Sequence, residues 1–444
     1  MKRPFWRSPY LVVIAGRPNV GKSTLFNTIV GRWVAIVDPT PGVTRDRIVR
    51  PVAWGGKRFD LMDTGGIGIV DMQRLEELVE LQIQSGLGMA DLILFVTDVK
   101  AGVTPLDQAV AEALRKSGKP VVLVVNKCDA PKYDIEAEEF RKLGFDEMFV
   151  ISAAERRGLD ELMQRVARDA PGEGEEEDGE GLKLALVGRR NVGKSSFVNA
   201  LAGEERVIVS DVPGTTRDAV DVSVETPKLK LVAIDTAGVR KKSSIRHPVE
   251  FYSTCRTETA VRRSDVVVLM IDAVQGVSNI EKRLAQMVSE EHKPCVIAVN
   301  KWDLAGELDP DKYTDYIART LPGLSFCPIV YLSALKGERV KAVVKVAADL
   351  FEQAKREWNT GLVNRIVTEA VERQPPRAKG KRRPKIYYVT QLPGPPPTFL
   401  LFVNEPELFD ASYRRFLASH MRKKLKAPEV PMRLIFRRRR REKS

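Results

Sequence analysis

Cysteine, histidine and long apolar runs are what this 444-residue chain has least of. Its four cysteines (Cys128, Cys255, Cys295 and Cys327) stand far apart, with no CxxC pair and no histidine at ligand spacing. That excludes a disulfide framework and a zinc site, and points to reduced thiols in a cytoplasmic protein. The three histidines, His247, His292 and His420, are isolated and carry no assigned chemistry. The longest apolar runs, such as 121–125 and 266–271, fall far short of the roughly 20 residues a membrane helix needs. The first ten residues, MKRPFWRSPY, are basic but lack the apolar stretch and cleavage site of a signal peptide. No membrane partner is expected.

With 43% hydrophobic and 30% charged residues, the chain reads as globular, and its length calls for two or three domains. Charge is unevenly placed. The whole chain carries +13, yet residues 355–444 alone carry +15, leaving the first 354 at −2. A concentrated basic region is the electrostatic footprint of a phosphate-polymer partner.

The first 350 residues or so contain one unit used twice. GRPNVGKS from Gly16 returns as GRRNVGKS from Gly188, and PGVTRD from Pro41 as PGTTRD from Pro213, both 172 residues on. DTGG at Asp63 returns as DTAG at Asp235 with the same offset. DVKAGV at Asp98 and NKCD at Asn126 recur as DAVQGV and NKWD, now 174 residues on, and Ser152-Ala153 recurs as Ser333-Ala334 after 181. Between the copies, residues 172–181 hold six acids, four glycines and nothing apolar, the composition of a flexible linker. The expected domains are therefore 8–170, an acidic linker 171–181, 182–354, a C-terminal module 355–436 and a basic tail 437–444.

Each copy alternates continuous apolar runs with helical periodicity, the pattern of a doubly wound, mostly parallel α/β sheet with its chemistry at the carboxyl ends of the strands. Leu25, Phe26, Ile29 and Val30, like Phe197, Val198, Leu201 and Ala202, recur at helical spacing, and Gly31 and Gly203 stand where C-cap glycines are expected.

Gly-x-x-x-x-Gly-Lys-Ser between such a strand and helix is a phosphate-binding loop. In the first copy it comprises Gly16, Arg17, Pro18, Asn19, Val20, Gly21, Lys22 and Ser23. In the second it comprises Gly188, Arg189, Arg190, Asn191, Val192, Gly193, Lys194 and Ser195. Converging backbone N–H groups and the helix dipole favour phosphate there. Lys22 and Lys194 are expected on the β- and γ-phosphates, and the Ser23 and Ser195 hydroxyls on Mg²⁺. Asp63 and Asp235 hold the same metal through water, and Gly66 and Gly238 sense the γ-phosphate within Asp63-Thr64-Gly65-Gly66-Ile67 and Asp235-Thr236-Ala237-Gly238-Val239. Thr44 and Thr216 lie in loops expected to close over that phosphate and complete the metal shell; such loops make a switch.

The base is chosen by Asn126-Lys127-Cys128-Asp129 and Asn300-Lys301-Trp302-Asp303, with Ser152-Ala153 and Ser333-Ala334 completing the pocket. A carboxylate there accepts two hydrogen bonds from guanine, whereas adenine would leave it unpaired, so GTP and GDP are preferred over adenine nucleotides.

These motifs match the translation-factor-related branch of P-loop GTPases, and two tandem copies followed by a small basic module resemble the Der family, also called EngA. The resemblance implies a role in maturation of the large (50S) ribosomal subunit, with guanine nucleotide governing association with pre-ribosomal particles and rRNA. The expected partner is thus RNA and not DNA, and the expected state monomeric. A GTPase tied to tRNA modification or to another RNA-linked signalling role shares the motifs; the first would need a further catalytic domain that these residues do not supply.

The position after each DxxG, a water-orienting glutamine in Ras-like sites, is Ile67 or Val239, and neither side chain can orient water. No arginine finger is identifiable; Arg45 and Arg217 are possible positions without further support. Asn19 and Asn191, combined with an apolar switch residue, resemble potassium-activated GTPases, in which K⁺ neutralises charge between the phosphates. The alternative is that both asparagines only stabilise the loop turn.

In the module, Leu362, Val363, Ile366, Val367 and Ala370 mark a helix, 386–392 and 399–403 two strands, Phe409, Tyr413, Phe416, Leu417 and Met421 a second helix, and 432–436 a last strand. This order resembles the KH-like domain of the same family, but the Gly-x-x-Gly clamp of RNA-binding KH domains is absent after Lys355. Basic residues cluster at Lys379, Lys381, Arg382, Arg383 and Lys385, and again at 437–441, for salt-sensitive phosphate contacts. Tyr387, Tyr388, Phe399 and Phe402 read as core in preference to base-stacking platforms.

Overall fold

The computed structural model describes residues 10–33, 49–63, 90–172, 181–204, 208–211, 222–226, 228–234, 248–377 and 382–439. They fall into two compact units, one of the first copy with residues 248–259 and one of the rest of the second copy with the C-terminal module.

In the first, Val and Leu runs buried on both faces form the centre of a sheet. The strands are β1 (Leu11–Ala15), β2 (Val49–Trp54), β3 (Lys57–Asp63), β4 (Leu92–Asp98), β5 (Val121–Asn126) and β6 (Met148–Val150), ordered β2-β3-β1-β4-β5-β6. Only β2 runs antiparallel, to β3; the other pairs are parallel. Every residue of β1 and β4 is buried, as continuous apolar runs require. Helices α1 (Lys22–Trp33), α2 (Pro105–Lys116), α3 (Lys132–Ala137) and α4 (Leu159–Arg168) accompany the sheet. The first residues of the expected linker are held: Arg58 N–H donates to the Pro171 carbonyl (3.2 Å), and Gly172 bridges to Lys57.

The second copy repeats this plan with β7 (Leu182–Val187), α5 (Lys194–Glu204), β8 (Ile208–Asp211), β9 (Val222–Glu225), β10 (Leu229–Ala233), α6 (Pro248–Arg263), β11 (Val266–Asp272), α7 (Asn279–Glu290), β12 (Cys295–Asn300), α8 (Pro310–Thr320), β13 (Ile329–Tyr331) and α9 (Val340–Ala354). Its strand order, β13-β12-β11-β7-β10-β9-β8, is that of the first sheet with one more antiparallel strand at the edge. In both copies one expectation fails: α1 runs through Gly31 and α5 through Gly203, so neither glycine caps its helix. A glycine inside a helix loses only about 1 kcal/mol against alanine, which burial of the helix's apolar face outweighs.

The module follows as α10 (Thr360–Arg373), β14 (Ile386–Leu392), β15 (Thr398–Val403), α11 (Ala411–Lys424) and β16 (Arg433–Arg438), the helix–strand–strand–helix–strand order expected. Its apolar face is continuous with that of the second copy: one core runs from Val268 through Ala347, Leu350 and Ala354 to Val363, Phe399 and Leu417. At the junction the Arg422 guanidinium lies 4.0 Å from the Phe326 ring centroid. Among the described residues no helix is long and apolar enough to cross a membrane.

Candidate nucleotide sites

Both phosphate loops leave a central strand and turn into a helix, β1 to α1 and β7 to α5. Gly21 and Gly193 adopt φ of 96° and 104°, and a Cβ on either would strike the side-chain amide of Asn126 or Asn300. That close approach, more than flexibility, demands glycine. Asn19 and Asn191 are exposed and left-handed, with φ of 65° and 61°. Asparagine tolerates that region better than most residues, so the turn itself gives one reason for its presence.

The loop lysines are folded over their own loops. Lys22 Nζ donates to the carbonyls of Gly16 (2.8 Å) and Arg17 (2.7 Å), and Lys194 Nζ to those of Gly188 (2.7 Å) and Arg189 (2.9 Å). Burial lowers the Lys22 ammonium to about 8, against the opposing pull of Asp63. Beside it the Ser23 hydroxyl donates to Asp63 Oδ2 (2.9 Å). Two hard oxygens so placed at a phosphate loop suit Mg²⁺, which when bound would neutralise charge between phosphates. Ser195 occupies the equivalent place at the head of α5 and is exposed.

The base-recognition motifs are wired to these loops identically. Asn126 Nδ2 donates to the Val20 carbonyl (2.9 Å), and its Oδ1 accepts from Ala153 N–H (3.0 Å). Asn300 makes the same pair with Val192 and Ala334, both at 2.8 Å. One side chain thus ties phosphate loop to base pocket. Lys127 and Lys301 are left-handed, at φ 68° and 61°. Lys127 Nζ reaches the Asn19 carbonyl (2.9 Å) and Asp98 (2.5 Å), and Lys301 Nζ reaches Asp272 (2.8 Å). Burial pushes the Asp272 carboxyl up, but the Lys301 ammonium and the Gln275 and Val274 N–H groups outweigh it and hold the pKa below the ordinary value.

The carboxylates expected to read guanine, Asp129 and Asp303, differ. Asp129 Oδ2 is paired with Lys100 (2.6 Å) and Oδ1 accepts from the Ser152 hydroxyl (2.7 Å); both bonds lower its pKa. Lys336 lies 3.7 Å from Asp303. The neighbours differ too. Cys128 is buried, whereas Trp302 packs on Tyr331 (centroids 4.2 Å) and edge-on to Tyr313 (5.7 Å). Ser152 and Ser333 are buried, each bridged to a turn residue, Arg157 or Glu338.

The DVKAGV and DAVQGV repeats are visible in the sequence, but their tasks for Asp98 and Asp272 are not. A further pair is hidden altogether. Arg17 Nε lies 3.3 Å from Asp107, and Arg189 Nε 3.5 Å from Glu281. Both acids are fully buried and close capping boxes, with Thr104 on α2 and Ser278 on α7. Thr-x-x-Asp and Ser-x-x-Glu stand 174 residues apart, so the repeat offset would have found them.

Thr44, Thr64, Gly65, Gly66, Ile67, Thr216, Asp235, Thr236, Ala237, Gly238 and Val239 lie outside the described residues, as do Arg45, Arg217, most of the acidic linker, Lys379, Lys381 and the tail beyond Arg439.

In the C-terminal sheet, ordered β14-β15-β16, Val389, Phe399, Leu401 and Val403 face the core. Two tyrosines overturn the expectation: Tyr387 and Tyr388 are 42% and 45% exposed. A β-bulge between Ile386 and Tyr388 breaks the alternation that would have turned one of them inward. Phe402 is half-buried.

The family described as "50S ribosome-binding GTPase" matches residues 11–127 and 183–301, and "KH-domain-like of EngA bacterial GTPase enzymes, C-terminal" matches 358–437. The chain is 43% identical to the GTPase Der of Rhodopirellula baltica over 436 residues, 98% of this chain and 96% of that one. It is 44% identical to that of Moorella thermoacetica (96% and 98% covered) and 44% identical to that of Halothermothrix orenii (96% and 98%). Two phosphate loops, each joined through an asparagine to a guanine-type pocket, and matches that run almost end to end lead to one placement: the chain belongs to the GTPase Der family, whose members bind guanine nucleotide with Mg²⁺ and hydrolyse GTP.

Proposed function

We propose that this protein is a monomeric, cytoplasmic GTP-driven switch in maturation of the large ribosomal subunit, binding pre-ribosomal particles and their RNA according to the nucleotide it holds. What supports the reading most is the pairing of two nucleotide sites that share one asparagine bridge with a basic module in one chain, matched over both copies by a family described as ribosome-binding. Lys22 and Lys194 would exchange loop carbonyls for β- and γ-phosphates; Ser23, Asp63 and Thr44, with Ser195, Asp235 and Thr216, would surround Mg²⁺. Gly66 and Gly238 would report the γ-phosphate through their N–H groups. Sedimentation with ribosomal particles in a non-hydrolysable GTP analogue, but not in GDP, is the expected result; no association in either state at low salt would refute the role.

Hydrolysis is K⁺-stimulated in this reading, with Asn19 and Asn191, exposed at the loop crests, as the cation's side-chain ligands. Turnover in KCl should exceed that in NaCl at equal ionic strength, and Asn19→Ala with Asn191→Ala should erase the difference. Equal wild-type rates in the two salts would remove K⁺ from the mechanism.

A further inference from the structure

The module lacks the Gly-x-x-Gly clamp, so an RNA partner needs another surface. The outer face of its three-stranded sheet offers one. Across the strands Tyr388 pairs with Phe402 and Phe402 with Arg437, in one row on the face opposite the core. The Tyr388 and Phe402 rings lie 5.9 Å apart with planes 30° from parallel.

The fold also gathers two basic clusters that are about fifty residues apart in sequence. Asn404 accepts from Lys385 N–H (2.9 Å) and donates to the Arg383 carbonyl (2.8 Å), while Arg439 N–H donates to Val403 (2.9 Å). Arg383 and Lys385 of one cluster and Arg439 of the other therefore meet at the end of β15. Tyr387 stands between them, its ring centroid 5.3 Å from Lys385 Nζ and 5.4 Å from the Arg439 guanidinium.

β14 is an edge strand, but it is not open to a peptide strand at its centre. The Asn364 amide of α10 takes both the N–H and the carbonyl of Val389, at 2.9 and 2.7 Å. Half-exposed tyrosine rings flanked by converged cations suit unpaired bases with phosphates alongside.

We propose that this face binds single-stranded RNA, with unpaired bases stacked on Tyr387 and Tyr388 and the backbone held by the basic residues at the end of β15. The inference rests on the ribosomal reading and gives that partner a surface. Fluorescence anisotropy of the full chain with a labelled 12-nucleotide single-stranded RNA, against a duplex of equal length, tests it. Wild type should prefer the single strand. Tyr387→Ala with Tyr388→Ala should weaken that binding about tenfold or more, by the usual loss per stacked base, and leave the salt dependence unchanged. Tyr387→Phe with Tyr388→Phe should keep it, since the ring and not the hydroxyl carries stacking, and an unchanged melting temperature in the alanine variant separates lost stacking from lost structure. A duplex preference, or alanine variants that bind like wild type, would overturn the inference. So would absence of oligonucleotide binding beside intact particle association, which would assign the face to a protein. Loss of particle association in the wild type would instead count against the reading beneath it.

Discussion

Asn126 and Asn300 each bridge two segments of their domain. Each amide spans from a phosphate-loop carbonyl to the N–H of Ala153 or Ala334, and every atom involved is buried. Alanine at either position would orphan a buried donor and a buried acceptor, each costing about 1–3 kcal/mol. Asn126→Ala should therefore lower the melting temperature of the first unit without any ligand, as well as weaken GDP binding. A calorimetric scan of the nucleotide-free variant that matched wild type would show the bridge to be idle. Lys293 makes a second case. Its ammonium donates to the Ser264 carbonyl (2.7 Å), and burial lowers its pKa to about 8. Between that value and the unfolded 10.5 the unfolded chain binds more protons, so this residue makes stability rise with pH across the window and adds no slope below it. Lys293→Met should flatten that rise, read from urea midpoints at pH 7 to 10; an unaltered slope would assign it to other groups. Of these residues, Asn126 and Asn300 were legible because their motif is local and repeated. Lys293 was not, because nothing in a lone lysine before a strand announces that its ammonium will be buried.

At the scale of elements, the helices α2 and α7 are fastened at their N-termini to the phosphate loops. Thr104 and Asp107 in one copy, and Ser278 and Glu281 in the other, cap the helix, while the same buried carboxylate faces Arg17 or Arg189. Asp107→Ala removes the reciprocal half of the capping box and leaves a mostly buried guanidinium without its counter-charge. A loss of about 3 kcal/mol is expected, on the scale of breaking a buried pair, with nucleotide affinity falling because Arg17 belongs to the loop. Glu281→Ala should cost the second unit less, because Arg189 keeps Asp272, 4.0 Å away, as a second counter-charge. Denaturant midpoints unchanged in both would mean that the pairs contribute no stability. Strand runs and loop positions were readable from apolar patterning, since a strand buried on both faces leaves a continuous signature. Helix ends were less so: Gly31 and Gly203 suggested caps, but local glycine preference yields where the apolar stripe continues to be buried. The bulge at Tyr387 was beyond pattern reading for a related reason. Period-two alternation says which residues share a face, and a single inserted residue reverses it without changing composition.

At the scale of the whole molecule, one hydrophobic core crosses a boundary that the sequence suggests. Repeat spacing and composition suggest three domains, yet the second copy and the basic module share one apolar core, and the first copy has its own. The cause is the short passage from α9 to α10: Ala354 and Val363 both enter that core, so the turn between them leaves no room for separate solvated surfaces. Phe399 makes the consequence measurable. It is fully buried on β15, with the Trp358 ring 6.2 Å away, and truncation of such a side chain costs about 3–5 kcal/mol. If module and second GTPase domain unfold as one cooperative body, Phe399→Ala should lower the transition of that body. GDP bound at the second site should then raise the transition of the whole body, module included, in the variant as in wild type. The first unit's transition should stay where it is. Separate melting of the module, with second-site GDP protection unaltered, would show that the continuous core does not couple them. Coupling of this kind gives the nucleotide in the second domain a physical route to the basic surface, because a ligand that stabilises one part of a cooperative body stabilises all of it.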